Sequence, residues 1–198
     1  MSRNAPWLFG LALCACAEDP AGDLDADVVS ALAKQVGDAR GVASSGVYGV
    51  ELTPLQCGCT ELDPSLWALT LCQRGAFGPV GVDATIQTTF DVVTSDGIVD
   101  LASEAATANP VGALQADGSF DAGAVIRLTS LAATGYQITR VEGWVEPSAE
   151  LGNAIEGTVA LRIIGRVELL GIEGVVTGVE DIDCTESLAF SGTRYIVR

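Results

Sequence analysis

The chain has 198 residues, with 26 Asp+Glu against 10 Lys+Arg, a formal charge of −16 and no histidine. That balance argues against nucleic acid, whose binders need basic surface, and against electrostatic attraction to anionic lipid. Without imidazole there is no Ser-His-Asp or Cys-His catalysis and no His-containing zinc site, and Lys34 is the sole lysine. The expectation is a protein that is not an enzyme and holds no cofactor or metal.

At the start of the chain, Arg3 supplies one positive charge and residues 7–15 are apolar apart from Gly10. Such a run is too short to span a bilayer but suits the h-region of a secretion signal. Leu13-Cys14-Ala15-Cys16 then resembles the lipobox of bacterial lipoproteins. The resemblance implies cleavage before a cysteine that receives a diacylglyceryl group on sulfur and an acyl chain on its new amino terminus. Cutting before Cys16 leaves small Ala15 at the last excised position and Leu13 at the upstream Leu position. Cutting before Cys14 would put Leu13 at the cut. Removing residues 1–15 also discards Cys14 and leaves an even set of four cysteines beyond the lipidated one. The reading is therefore a signal peptide at residues 1–15 and lipidation at Cys16. Several acyl chains together give a stable anchor, at about 0.8 kcal/mol per buried CH₂. Ala17, rather than Asp, follows the cysteine. By resemblance to lipoprotein sorting signals, that implies the outer membrane, with the domain on the periplasmic or cell-surface side.

Residues 16–45 read as an acidic tether. Glu18, Asp19, Asp23, Asp25 and Asp27 sit there with Pro20 and Gly22, a self-repelling, extended composition. Within it, Asp27 is placed to cap a short helix over residues 28–36. Val29, Leu32 and Val36 would form its stripe and Gly37 its terminator.

From Gly46 the period becomes two, marking a β-domain over residues 46–198. Residues 47–52 and 67–72 read as strands. Ala84, Ile86, Thr88, Phe90 and Val92 alternate with polar residues, and Ser95-Asp96-Gly97 turns the chain into a strand at 98–102. Asp117-Gly118 makes a second turn, between residues 111–116 and a strand carrying Phe120, Ala122, Ala124, Ile126 and Leu128 on one face. A strand from Gly135 to Val145 shifts its apolar phase by one between Ile138 and Val141, which predicts a bulge. The longest strand, residues 155–169, alternates cleanly, and residues 175–179 and 188–197 supply a last pair. The sum is an all-β, antiparallel up-and-down meander of about nine or ten strands with a short N-terminal helix. Exposed edges invite aggregation, so the meander is expected to close as a barrel, with a two-sheet β-sandwich as the alternative. Ala84, Ala122, Ala124 and Gly157 are small residues on the inward register and permit strong curvature.

Cys57, Cys59, Cys72 and Cys184 are expected in two disulfides, as the oxidising envelope favours. Cys57 and Cys59 are too close to bond each other, so one takes Cys72 and the other Cys184. Asp23-Leu24-Asp25-Ala26-Asp27 has the alternating acids of a calcium loop but lacks its Gly and Glu, and Glu180-Asp181-Ile182-Asp183 reads as an acidic loop. Both are expected to be solvated turns. Glu142 and Glu146 flank Trp144 as the acids of a carbohydrate-processing cleft would, yet the alternating charges of an exposed strand face account for them. Trp67, Trp144 and Tyr136 read as core or rim residues.

A single-domain β-meander with disulfides, Gly46-Val47-Tyr48 on its first strand and Arg194 on its last resembles the lipocalin group. Tyr48 stands where that family's Gly-x-Trp signature has Trp. The resemblance implies an eight-stranded barrel that carries a small apolar ligand. The leading expectation is a membrane-anchored, non-catalytic structural or protein-interaction module. A lipocalin-like carrier is the alternative, and the partners are the membrane through Cys16 and an envelope protein or apolar ligand.

Overall fold

A computed structural model describes residues 24–41, 43–60, 62, 70–72, 85–103, 109–129, 133–170 and 176–197. A helix, α1 (Ala26–Leu32), precedes eight strands: β1 (Gly46–Cys57), β2 (Ile86–Ser95), β3 (Ile98–Ser103), β4 (Val111–Leu114), β5 (Ser119–Thr129), β6 (Ala133–Val145), β7 (Ala154–Leu170) and β8 (Val176–Val197). Each strand pairs antiparallel with the next and β8 returns to β1, closing one up-and-down barrel. Closure leaves no sheet for a sandwich partner and removes the outermost edges of the meander.

Eight strands are found among the described residues, fewer than the nine or ten expected. The segments read as a final pair form one strand of 22 residues, which pairs with β7 along 17 residues and with β1 on its other side. The acidic stretch 180–183 keeps the alternation: Ile182 is buried, while Asp181 and Asp183 point outward to Arg166 and Arg162. Acids that look like a loop are strand residues whose charge is matched across the β7–β8 ladder. Of the strand expected at 67–72, residues 67–69 lie outside the described residues, and 70–72 form a turn rather than a strand.

The bulge expected in β6 is absent. Its pairing with β5 and with β7 runs without a register shift from Ala133 to Val145. The phase change has another cause: Ile138 faces outward and is buried under α1, with Leu24 and Val29, while its neighbours Gln137 and Thr139 are buried on the inward side. One strand therefore buries both faces at this level.

The helix is shorter and earlier than expected. Asp25, not Asp27, is its N-cap, with its carboxylate accepting the N–H groups of Asp27 and Val28. Val29 and Leu32 are buried, but Val36 is exposed. The helix stops at Leu32 because the following segment is needed as strand-like backbone across one end of the barrel. There the Gly37 N–H donates to Gly97 O and the Ala39 N–H to Leu114 O. α1 packs mainly on β5 and β6, and Gly123 makes the seat: a Cβ there would lie 2.6 Å from Val29 Cγ1 and from Val29 O. Gly123→Val should lift α1 from the wall, lowering stability by about 1–3 kcal/mol. Hydrogen exchange should show faster exchange confined to the helix and the strand beneath it, and unchanged helix protection would contradict this seating.

Inside, Phe90, Phe120 and Phe190 fill the lower half of the lumen, with Phe90 and Phe190 in an edge-to-face pair at 5.2 Å. Phe120 and Phe190 fit because their cross-strand partners on β6 and β7 are glycines. A Cβ on Gly143 would lie 2.9 Å from Phe120 Cζ, and one on Gly157 would lie 2.8 Å from Phe190 Cζ. Burying each ring contributes about 1.5–3 kcal/mol, so this layer is a solid floor support rather than ligand space. Ala122 and Gly157 hold the inward positions expected of them. Ala84 lies outside the described residues.

Candidate functional site

The two ends of the barrel differ. At one end the β2–β3, β4–β5 and β6–β7 turns meet the segment that follows α1, and Arg194 corks the lumen. Its guanidinium is 2% exposed and donates to the carbonyls of Ala43 (2.7 Å), Ser45 (3.2 Å), Ser148 (2.8 Å) and Glu150 (2.9 Å). It lies over the Tyr48 ring, 6.0 Å from its centroid, the distance at which a cation is attracted to an aromatic face. The Tyr48 hydroxyl donates to Ser44 O at 2.8 Å, and burial raises this phenol above its ordinary pKa against the pull of Arg194. The two residues that carry the lipocalin resemblance thus meet at this floor.

The opposite end is the candidate site, because among the described residues the strand pairing there is incomplete. β3 and β4 are short. β3 pairs with β2 only from Phe90 onward, and β4 pairs with β5 only as far as Gly123. Among the described residues, β2 below Phe90 and β5 beyond Gly123 have no partner strand on these sides. The inward-facing Ile86, Thr88, Ser103, Ala124, Ile126 and Leu128 are accordingly only half-buried, unlike the floor layer. Across the lumen, Leu161, Ile163, Gln137 and Thr139 are buried. The result is an apolar mouth with a minor set of hydroxyl and amide groups, the composition typical of small-molecule sites.

At the same end, the described residues of a strap that follows β1 are tied down by two disulfides. Cys57 bonds Cys72 and Cys59 bonds Cys184, which resolves the pairing left open by the sequence. Cys59, Leu71 and Leu62 pack against the barrel core. Glu186, on the inward face of β8 and 1% exposed, accepts the Leu71 N–H at 2.6 Å and the Cys72 N–H at 3.1 Å through Oε2. The Gly58 N–H donates to Thr185 O at 2.9 Å. A buried carboxylate is expensive unless hydrogen-bonded; here it serves as the anchor for the strap. The strand phase could have found Glu186, because stepping back two residues from Leu188 puts it inside. Gln137 and Thr139 had a signal too, in the apolar phase change of β6.

The other singled-out residues are not brought together for chemistry. Glu142 pairs outward with Arg140, which also holds Asp121. The Glu146 carboxylate accepts the Ala154 N–H. Trp144 Nε1 donates to Asp117 O, and Tyr136 is exposed. Arg162 binds Asp183 through two parallel hydrogen bonds of 2.8 and 2.7 Å, holding its carboxyl below the usual pKa. Asp100, outward on β3, is raised by partial burial and by neighbouring Asp91. Among the described residues no three Cys, Asp or Glu gather as metal ligands. Cys16 and Trp67 lie outside the described residues. No family model matches the chain, and no curated protein or solved structure matches it.

Proposed function

We propose that this is an envelope lipoprotein, held at the outer membrane through lipid on Cys16, whose barrel is a non-catalytic carrier for a small apolar ligand. The observation that carries the ligand reading is the contrast between the two halves of the lumen. The floor half is filled by three phenylalanines and sealed by Arg194, whereas among the described residues the inward Ile86, Ala124, Ile126 and Leu128 of the mouth are only half-buried and lack a partner strand on one side. An apolar surface kept accessible inside a closed, stapled barrel is what a binding bowl requires. The carboxylate of Glu186 and the overall charge of −16 favour a neutral ligand over a fatty-acid anion, since a buried anionic head would add like charge. The lipid anchor follows from the resemblance of residues 13–16 to the lipobox. It suits an acidic surface that has no attraction of its own for anionic membranes.

A second reading, a structural or protein-interaction module, is favoured by one observation. Val93 and Ile196 are exposed apolar residues on the outward register of β2 and β8 near the floor, and exposed apolar side chains of this kind mark partner surfaces.

The test is a titration of the full-length chain with 1-aminoanthracene, a neutral fluorophore, in the wild type and in Ile126→Trp. A ring at residue 126 should fill the mouth and weaken binding by at least about tenfold with an unchanged far-ultraviolet spectrum. Equal binding by both proteins, or none by the wild type, would remove the carrier reading and leave the interaction module.

A further inference from the structure

The outer wall carries a second concave feature, separate from the lumen. A cleft of about 520 Å³ crosses β8, β1 and β2, and its lining includes Gly49, Glu51, Gln87, Ser191 and Thr193. The pairing places Thr193 opposite Gly49, and puts Ser191 and Gln87 on the two sides of Glu51. These side chains stand on the outward register, since Val50, Phe190 and their neighbours on the alternate positions are in the core. Gly49, in its lining, puts no side chain into the hollow. Packing does not require a glycine there: a Cβ would meet only the Tyr195 ring, at 3.7 Å, an ordinary van der Waals distance. Tyr195 is 51% exposed, and its ring is the neighbour of Gly49, next to the cleft lining.

We propose that this cleft is a binding site for a neutral oligosaccharide. A pyranose presents an apolar C–H face and a ring of hydroxyls, and the cleft offers the complement of both. The Tyr195 ring supplies a rigid apolar platform with a polar tip. Beside it stand two hydroxyls, an amide that both donates and accepts, and a carboxylate acceptor. The volume is within the range of small-ligand sites, roughly 300–1,000 Å³. A single carboxylate in the lining of an already acidic protein disfavours anionic sugars, so the ligand is uncharged. Among the described residues of this lining none is basic, which disfavours phosphate and nucleic acid as occupants.

Equilibrium binding of chitotriose, maltotriose and mannotriose to the full-length chain tests the site, with Tyr195→Ala and Gly49→Leu as variants. Both substitutions are on the outer surface and should leave the melting temperature close to that of the wild type. At least one of the three sugars should bind at about millimolar affinity or better. Tyr195→Ala should weaken that binding at least about tenfold, and Gly49→Leu, which puts a bulky side chain into the hollow beside Tyr195, should weaken it by at least as much. Uptake of 1-aminoanthracene by the lumen should be unaffected in both variants, so failure here is distinguishable from failure of the carrier reading. The proposal is overturned if none of the three sugars binds up to about 10 mM, or if both variants bind as the wild type does.

Discussion

Arg194→Leu should destabilise the protein by about 4 kcal/mol. The guanidinium occupies the floor of the barrel with 2% exposure and donates to four different carbonyls. Two of those carbonyls, of Ala43 and Ser45, belong to the segment entering β1; the others, of Ser148 and Glu150, belong to the β6–β7 turn. Its five N–H donors in a planar fork thus join three parts of the chain at one point. Leucine fills much of the volume but leaves these carbonyls without donors and removes the cation from the Tyr48 face. Hydrogen bonds to a charged group contribute about 1.5–3 kcal/mol each, and partial hydration of the exposed floor after substitution offsets some of that sum. Urea unfolding and a melting temperature lowered by roughly 10 °C are the expected readouts. Arg194→Lys should recover only a minor part, because an ammonium cannot reach both sides of the floor. A loss below about 1 kcal/mol for the leucine variant would mean that water replaces the cork freely.

Removing the Cys59–Cys184 bond should be the second large effect and should exceed removal of Cys57–Cys72. The first joins residues 125 apart and the second residues 15 apart. In the chain-entropy account these correspond to about 4–5 and about 3 kcal/mol of constraint on the unfolded chain. Position argues the same way: Cys184 is on the inward register of β8 beside Glu186, so its bond draws the strap into the barrel, while Cys57–Cys72 closes the strap on itself. Paired alanine substitutions at each bridge, unfolded in urea, give the comparison directly. The reverse order would show that local packing of the strap outweighs loop closure.

The fold was legible because its main signal is local. Period-two alternation in residues 155–169 and along the strand carrying Phe120 needs only near neighbours to be read, and Asp96-Gly97 with positive φ at both residues is the turn that its sequence announces. The even cysteine count and the short Cys57-Gly58-Cys59 spacing likewise narrowed the bridges to two pairings. Misreadings arose where a distant element changed a residue's surroundings. Ile138 looks out of phase only because α1, more than a hundred residues earlier, covers the outside of β6. Asp181 and Asp183 look like a loop until Arg166 and Arg162 stand opposite them.

What the sequence determined by itself is the alternation of apolar and polar residues that commits this chain to strands with one inward face, and hence to closure of a meander with no free outer edges. What only the tertiary structure decided is how that closed wall is finished. Arg194 finds acceptors 44 to 151 residues away, Glu186 anchors a strap 114 to 115 residues earlier, and the short β3 and β4 leave, among the described residues, Ala124 and Ile126 of β5 only half-buried. Side-chain alternation is fixed by the backbone of each strand alone. The floor, the strap and the mouth come from contacts between segments far apart in the chain, which leave no periodic trace in it.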